Sequence, residues 1–170
     1  FDPDRIEAEW GVLGTGPVSS LDDGAGKPID YRNRILIPVI WDGAEVSFQA
    51  RDVTGRSDIR YVSCPVDREV VPPKSILYGH QASWGRTGII VEGVTDVWKL
   101  GEQACATFGI NYTPDQLAVI ARTFDRIAIV FDPEPQAMRQ ARKLAATLRI
   151  RIGVEPVIVD WLGEGVDPGS

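Results

Sequence analysis

Five carboxylates stand at or just beyond the ends of short apolar runs: Glu92 and Asp96, Asp132 and Glu134, and a late Asp167. Carboxylates brought together repel one another, so a chain that gathers several either neutralises them with a hard divalent cation such as Mg²⁺ or spreads them over solvated turns. The first arrangement is what phosphate chemistry requires. Glu92 directly follows the β-branched run 89–91, Gly93 permits a tight turn, and Asp96, four residues on from Glu92, returns to the same face on the first helical turn. Asp132 directly follows the apolar run 127–131, and Asp132-Pro133-Glu134 sets two carboxylates at alternate positions of an extended loop. Asp167 lies beyond the last apolar run, 157–159. The competing reading makes Glu92, Asp96 and Glu134 helix-dipole partners and Asp167 an ordinary Asp-Pro turn residue. Asp132, between an apolar strand and a proline, fits a cap less well.

These groups have to be positioned by strands and helices. A helix-like opening at 5–10 leads into a loop over 11–28 that is dense in Gly, Ser, Pro and Asp and reads as irregular. Two β-rich runs, 35–40 and 45–50, flank the turn formers Asp42 and Gly43, which predicts a hairpin whose second strand delivers Arg51. From Arg51 to Arg86 turn residues dominate, with six bases against four acids inside an otherwise acidic protein. Strand and helix then alternate. A strand at 89–91 precedes a helix carrying Val94, Val97 and Trp98, and a weak strand at 104–108 precedes a helix opened by Thr113 as N-cap and Pro114. A strand at 127–131 precedes a helix striped by Met138, Ala141, Leu144, Ala145 and Leu148 that exposes Arg139, Arg142 and Lys143, and 157–159 supplies a fourth strand. Such alternation implies an α/β unit with a parallel sheet flanked by helices. In open sheets of that kind ligands bind beyond the carboxyl ends of the strands, where Glu92 and Asp132 stand.

With 170 residues, 44% of them hydrophobic, the chain can bury a sizeable core. Its net charge of -6 argues against a nonspecific nucleic-acid coat, though not against a groove with its own local field. Cys64, Cys105 and the single histidine, His80, cannot assemble a zinc site or a disulfide framework, and the G-x-x-x-x-G-K-[ST] loop of a helicase motor is lacking. No stretch approaches the roughly 18 apolar residues of a membrane span and no leader opens the chain, so a soluble cytoplasmic protein without a membrane partner is expected. The start at Phe1 and the end in Asp-Pro-Gly-Ser read as a piece trimmed from a longer polypeptide.

The run Ile89-Ile90-Val91-Glu92-Gly93-Val94-Thr95-Asp96-Val97, followed by Val130-Phe131-Asp132-Pro133-Glu134, resembles the Toprim domain of primases, topoisomerases and certain nucleases. Upstream, Asn33-Arg34-Ile35-Leu36-Ile37-Pro38, then Val46 to Asp52, Arg60-Tyr61 and Lys74-Ser75-Ile76-Leu77-Tyr78-Gly79 resemble, in order and spacing, the catalytic core of bacterial DnaG-type primases and their bacteriophage relatives. The resemblance covers most of residues 31–168 and implies a smaller mixed α+β subdomain over 1–86 and a Rossmann-like Toprim subdomain over 87–170. It implies metal-dependent synthesis of short RNA primers on single-stranded DNA during DNA replication, with ribonucleoside triphosphates as substrates and a replicative helicase, separate or fused, as partner. The setting it implies is the cytoplasm of a bacterium or of a phage-infected host. Carried over by position, Glu92, Asp96, Asp132, Glu134 and Asp167 would hold Mg²⁺ or Mn²⁺. Glu92, Asp132 and Glu134 would serve catalysis, and Arg51, Arg60, Tyr61 and Lys74 would bind nucleic acid or nucleotide. The chain departs from the family where Asp-Gly-Asp is usual, carrying Asp132-Pro133-Glu134 followed by Pro135 and Gln136. A Toprim nuclease using the same acids and a non-catalytic module that binds DNA or a partner protein are the alternatives.

Overall fold

Asp42 and Gly43 both take positive φ, 50° and 78°, the backbone that lets a two-residue turn match the twist of its flanking strands. The hairpin they close dominates the first part of the computed structural model, which describes residues 2–22 and 25–160. Strand β4 (Arg34–Trp41) pairs antiparallel with β5 (Ala44–Asp52), and β1 (Leu13–Gly14) and β6 (Tyr61–Ser63) flank them in the order β1-β4-β5-β6. Helix α1 (Pro3–Trp10) precedes the sheet, with the Asp2 side chain accepting the Asp4 N–H at its start and Gly11 closing it at φ 63°. Strands β2 (Ser20–Asp22) and β3 (Pro28–Asp30) form a small pair of their own. The region read as irregular lead-in therefore holds β1 and β2. Strands of two or three residues carry no periodicity of their own and exist because Leu13 meets Leu36 and Ser20 meets Asp30.

The second compact unit begins at Pro73 and the first ends at Pro72, so the expected boundary at 86/87 falls earlier. The reason lies in residues 73–86, which pack with the parallel sheet: Tyr78 and Ala106 exchange backbone hydrogen bonds at 3.0 and 2.9 Å. The sheet has the order β10-β9-β7-β8, from β7 (Thr87–Val91), β8 (Ala104–Ala106), β9 (Arg126–Val130) and β10 (Val157–Ile158), all parallel. Helices α2 (Val94–Leu100), α3 (Pro114–Thr123) and α4 (Pro135–Ile152) are the crossovers, which parallel strands require. Covered strands lose the polar alternation of half-buried ones, and Ile90, Val91, Ile129 and all of β8 are buried. Helix α4 lays Ala137, Met138, Ala141, Leu144, Ala145 and Leu148 into the core. Gly88 packs so tightly on Phe124 that a Cβ there would sit 2.7 Å from the ring. Among the described residues no helix is long and apolar enough to cross a membrane.

Candidate active site

The chain enters the parallel sheet at β7, builds β8 on one side, then crosses to the other for β9 and β10. Loops leaving β7 and β9 therefore diverge, and the crevice between them is the switch point where open α/β sheets bind ligands. Val91 pairs with Val130, so the two strands end level and the residues after them emerge side by side. Across this junction the Glu92 carboxylate Oε1 accepts the Asp132 backbone N–H at 2.9 Å. The two residues expected to lead the chemistry are thus brought together by strand register.

Asp96 folds back over the same turn, its Oδ2 accepting the Gly93 N–H at 3.0 Å. Gly93 has φ -117°, so a positive φ is not its reason for being there. A Cβ at Gly93 would stand 3.2 Å from Asp96 Oδ2, so glycine leaves room for the carboxylate. The capping reading describes Asp96 well. Glu134 occupies the N-cap position of α4, where the helix dipole favours a carboxylate, but makes no side-chain capping bond and is exposed. Glu92 is half-buried, and its carboxyl is pushed up to about 7, first by burial and then by repulsion from Asp132, Asp96 and Glu134, against the stabilising Asp132 N–H. Three neighbouring carboxylates are therefore near enough to raise the cost of ionising Glu92. Their hard oxygen donors suit Mg²⁺ or Mn²⁺, although among the described residues no three acidic, Cys or His side chains close into a ready cation-holding group. Asp167 lies outside the described residues.

The expected bases divide between the units. Arg51 and Tyr61 are cross-strand partners on β5 and β6, with the Arg51 guanidinium carbon 5.5 Å from the Tyr61 ring centroid, a cation–π geometry. Arg60 is exposed immediately before β6. Lys74 belongs to the second unit, and there its ammonium donates to the carbonyls of Thr107, Phe108 and Asn111 at 3.0, 2.9 and 2.8 Å. Those three bonds use all the donors an ammonium has, so Lys74, expected as a phosphate contact, is engaged here with a loop.

Two further residues stand out only in three dimensions. Arg34, 6% exposed, donates to the Ile59 and Arg60 carbonyls and to Ser57 Oγ, holding the loop that presents Arg60. Gln116, fully buried, donates from Nε2 to the carbonyls of Ile76 and Thr107 at 2.9 and 3.1 Å. A sequence signal existed for Gln116, which stands three residues after Thr113 and completes a capping box with it.

No protein-family model matches the chain, and no curated protein matches it. Solved structures do. The primase of Aquifex aeolicus, comprising its zinc-binding and RNA polymerase domains, superposes with a TM-score of 0.80 at 22% identity, over 99% of this chain and 48% of that one. A DNA primase domain from Pseudomonas aeruginosa gives 0.79 at 20% identity, over 97% and 62%. The fold is that of a DnaG-type primase catalytic core. A DnaG primase catalytic domain bound to single-stranded DNA matches equally well, with a TM-score of 0.79 at 18% identity over 98% of this chain and 62% of the other. The chain spans between about half and three-fifths of the length of these primases. Within the primase fold, the acidic rim built from Glu92, Asp96, Asp132 and Glu134 belongs to the parallel unit, and Arg51, Arg60 and Tyr61 belong to the antiparallel one.

Proposed function

We propose that this chain is the catalytic part of a DNA primase that joins ribonucleoside triphosphates into short RNA primers on a single-stranded DNA template, using Mg²⁺ or Mn²⁺. The observation that carries this reading is the convergence of Glu92 and Asp132, with Asp96 and Glu134 near, at the switch-point crevice of a primase-core fold. Asp132, Glu134 and Asp96 would hold the cation, with Asp167 as a peripheral ligand. A cation so held would supply polarisation of the α-phosphate and stabilisation of the charge on the attacking and leaving oxygens. Glu92 would accept the proton of the attacking 3′-hydroxyl or join the cation's ligands. In-line attack on the α-phosphorus then releases pyrophosphate. Arg51 and Arg60 would contact template phosphates or the incoming triphosphate, and Tyr61, backed by Arg51, would offer a face to a base. The ssDNA-bound primase among the structural neighbours supports the choice of template, and the primase fragment of the bacteriophage T7 primase-helicase protein, with a TM-score of 0.55, supports a replicative helicase as the partner such a core would have.

Incubation of the chain with single-stranded DNA, ribonucleotides and Mn²⁺ tests the reading directly. New oligoribonucleotides are expected. Nicked template without RNA would replace primer synthesis with a nuclease reaction, and absence of both with a binding role.

A further inference from the structure

A lysine that grips phosphate needs donors to spare, and Lys74 has none. Its three acceptors are all main-chain carbonyls of one loop, 107–111, and among the described residues no carboxylate shares the ammonium. Burial lowers its pKa. The loop it holds is one that resists closing unaided, because Phe108 and Gly109 adopt φ 57° and 107° in succession, and for a residue with a Cβ that conformation costs on the order of 1 kcal/mol. The loop is also tied to the acidic rim. Gly109 donates its N–H to the Glu92 carbonyl at 2.7 Å, and Thr107 donates its own to the Val91 carbonyl at 3.2 Å. Lys74 is itself anchored, since its carbonyl accepts the Thr113 hydroxyl at 2.6 Å and Gln116 braces both Ile76 and Thr107. The chain of contacts runs from α3 through Lys74 and the loop to the end of β7.

We propose that Lys74 is a positioning residue: its ammonium gathers three carbonyls of loop 107–111, and the loop so held fixes the backbone from which the Glu92 carboxylate projects into the cation site. This rests on the metal-site reading of the acidic rim. It differs from a phosphate contact, in which the lysine would act on nucleic acid directly and leave the rim untouched.

The full chain and its Lys74→Ala variant distinguish these roles when three quantities are measured on each: hydrogen exchange at the Gly109 amide, Mn²⁺ affinity by electron paramagnetic resonance, and affinity for single-stranded DNA without metal. Faster Gly109 exchange and Mn²⁺ affinity weaker by about tenfold are expected, the scale for residues that orient metal ligands from behind. Both should recover in methylammonium chloride, which can re-enter the carbonyl cradle and donate, and not in tetramethylammonium chloride of equal concentration. DNA affinity without metal should be unchanged. Unaltered Mn²⁺ affinity in the variant, with or without faster Gly109 exchange, overturns the proposal, and a loss confined to DNA affinity restores the phosphate role. A parent chain that binds no Mn²⁺ overturns the metal reading itself, a failure distinct from that of a parent that binds and a variant that binds equally. Should Lys74→Ala not fold, Lys74→Met keeps the stem and removes only the donors, and the same two metal outcomes decide.

Discussion

Arg34 in the antiparallel unit and Lys74 in the parallel unit are cations drawn from stretches that resemble primase motifs, and both bond carbonyl oxygens of a neighbouring loop. The two units differ in what their clamps leave on display. In the antiparallel unit the clamped loop carries Arg60 outward beside the stacked Arg51 and Tyr61. In the parallel unit the clamped loop abuts the strand end that carries Glu92. The placing of the acids follows from strand order and register, which put two strand ends level at a switch point, whereas among the bases Arg51 is placed by strand pairing and Arg60 by a side chain that ties its loop down. A basic residue in a motif can therefore be a contact or a clamp, and only its partners tell which.

The comparison breaks first at Asp132. If the acidic rim is a cation site, Asp132→Asn should lower primer synthesis by at least about 100-fold, since metal stabilisation is worth several kcal/mol and each 1.36 is tenfold. The parent's melting temperature should rise with Mn²⁺ while the variant's stays flat, measured by calorimetry with and without the ion. The clamp in the antiparallel unit is tested by Arg34→Met. It removes three charge-assisted hydrogen bonds, while the Ile59 carbonyl keeps the Ser57 hydroxyl, Ser57 Oγ keeps the Ile59 N–H and the Arg60 carbonyl keeps the Asp52 N–H, and a loss of about 1–3 kcal/mol is expected from urea midpoints. On the parallel side, Gly88→Ala drives a methyl into the Phe124 ring and should cost about 1–3 kcal/mol by the same measurement, without touching any charge.

Glu92 sharpens the contrast through pH. Its carboxyl ionises at about 7 rather than 4.5, so between those values the folded state binds more protons than the unfolded one. Stability in metal-free buffer should therefore fall as pH rises from 4.5 to 7 and level off above, and Glu92→Gln should flatten that slope. A slope that survives the substitution would place its origin elsewhere. The smallest expected effect belongs to the open bases. Arg51→Gln should weaken binding of single-stranded DNA a few-fold and reduce its salt dependence by about 0.7 in the log–log slope, one phosphate's share. No change in slope would mean that Arg51 serves only the Tyr61 ring.

Much of this architecture was legible because its signals are local. The Asp42-Gly43 turn, the Thr113-Pro114 helix start, the apolar stripe of α4 and the buried runs of β7 and β9 are each written within a few neighbouring residues, and the structure has all of them. Strands β1, β2 and β6 were not legible, because two or three residues become a strand only by meeting a partner elsewhere in the chain. The inclusion of 73–86 with the parallel sheet depended likewise on the Tyr78–Ala106 bridge.

For the candidate site, sequence alone determined the inventory: which carboxylates follow which strands, and that a glycine stands directly after Glu92. Tertiary structure decided how that inventory is used. That the Glu92 carboxylate reaches the Asp132 N–H depends on β7 and β9 being neighbours in register, across 40 positions of sequence. That Lys74 and Arg34 hold loops depends on carbonyls 33 to 37 and 25 to 26 residues away. Periodicity reports the face a residue presents, but the partner waiting at that face is supplied by another part of the chain, and for a charged side chain the partner settles the role.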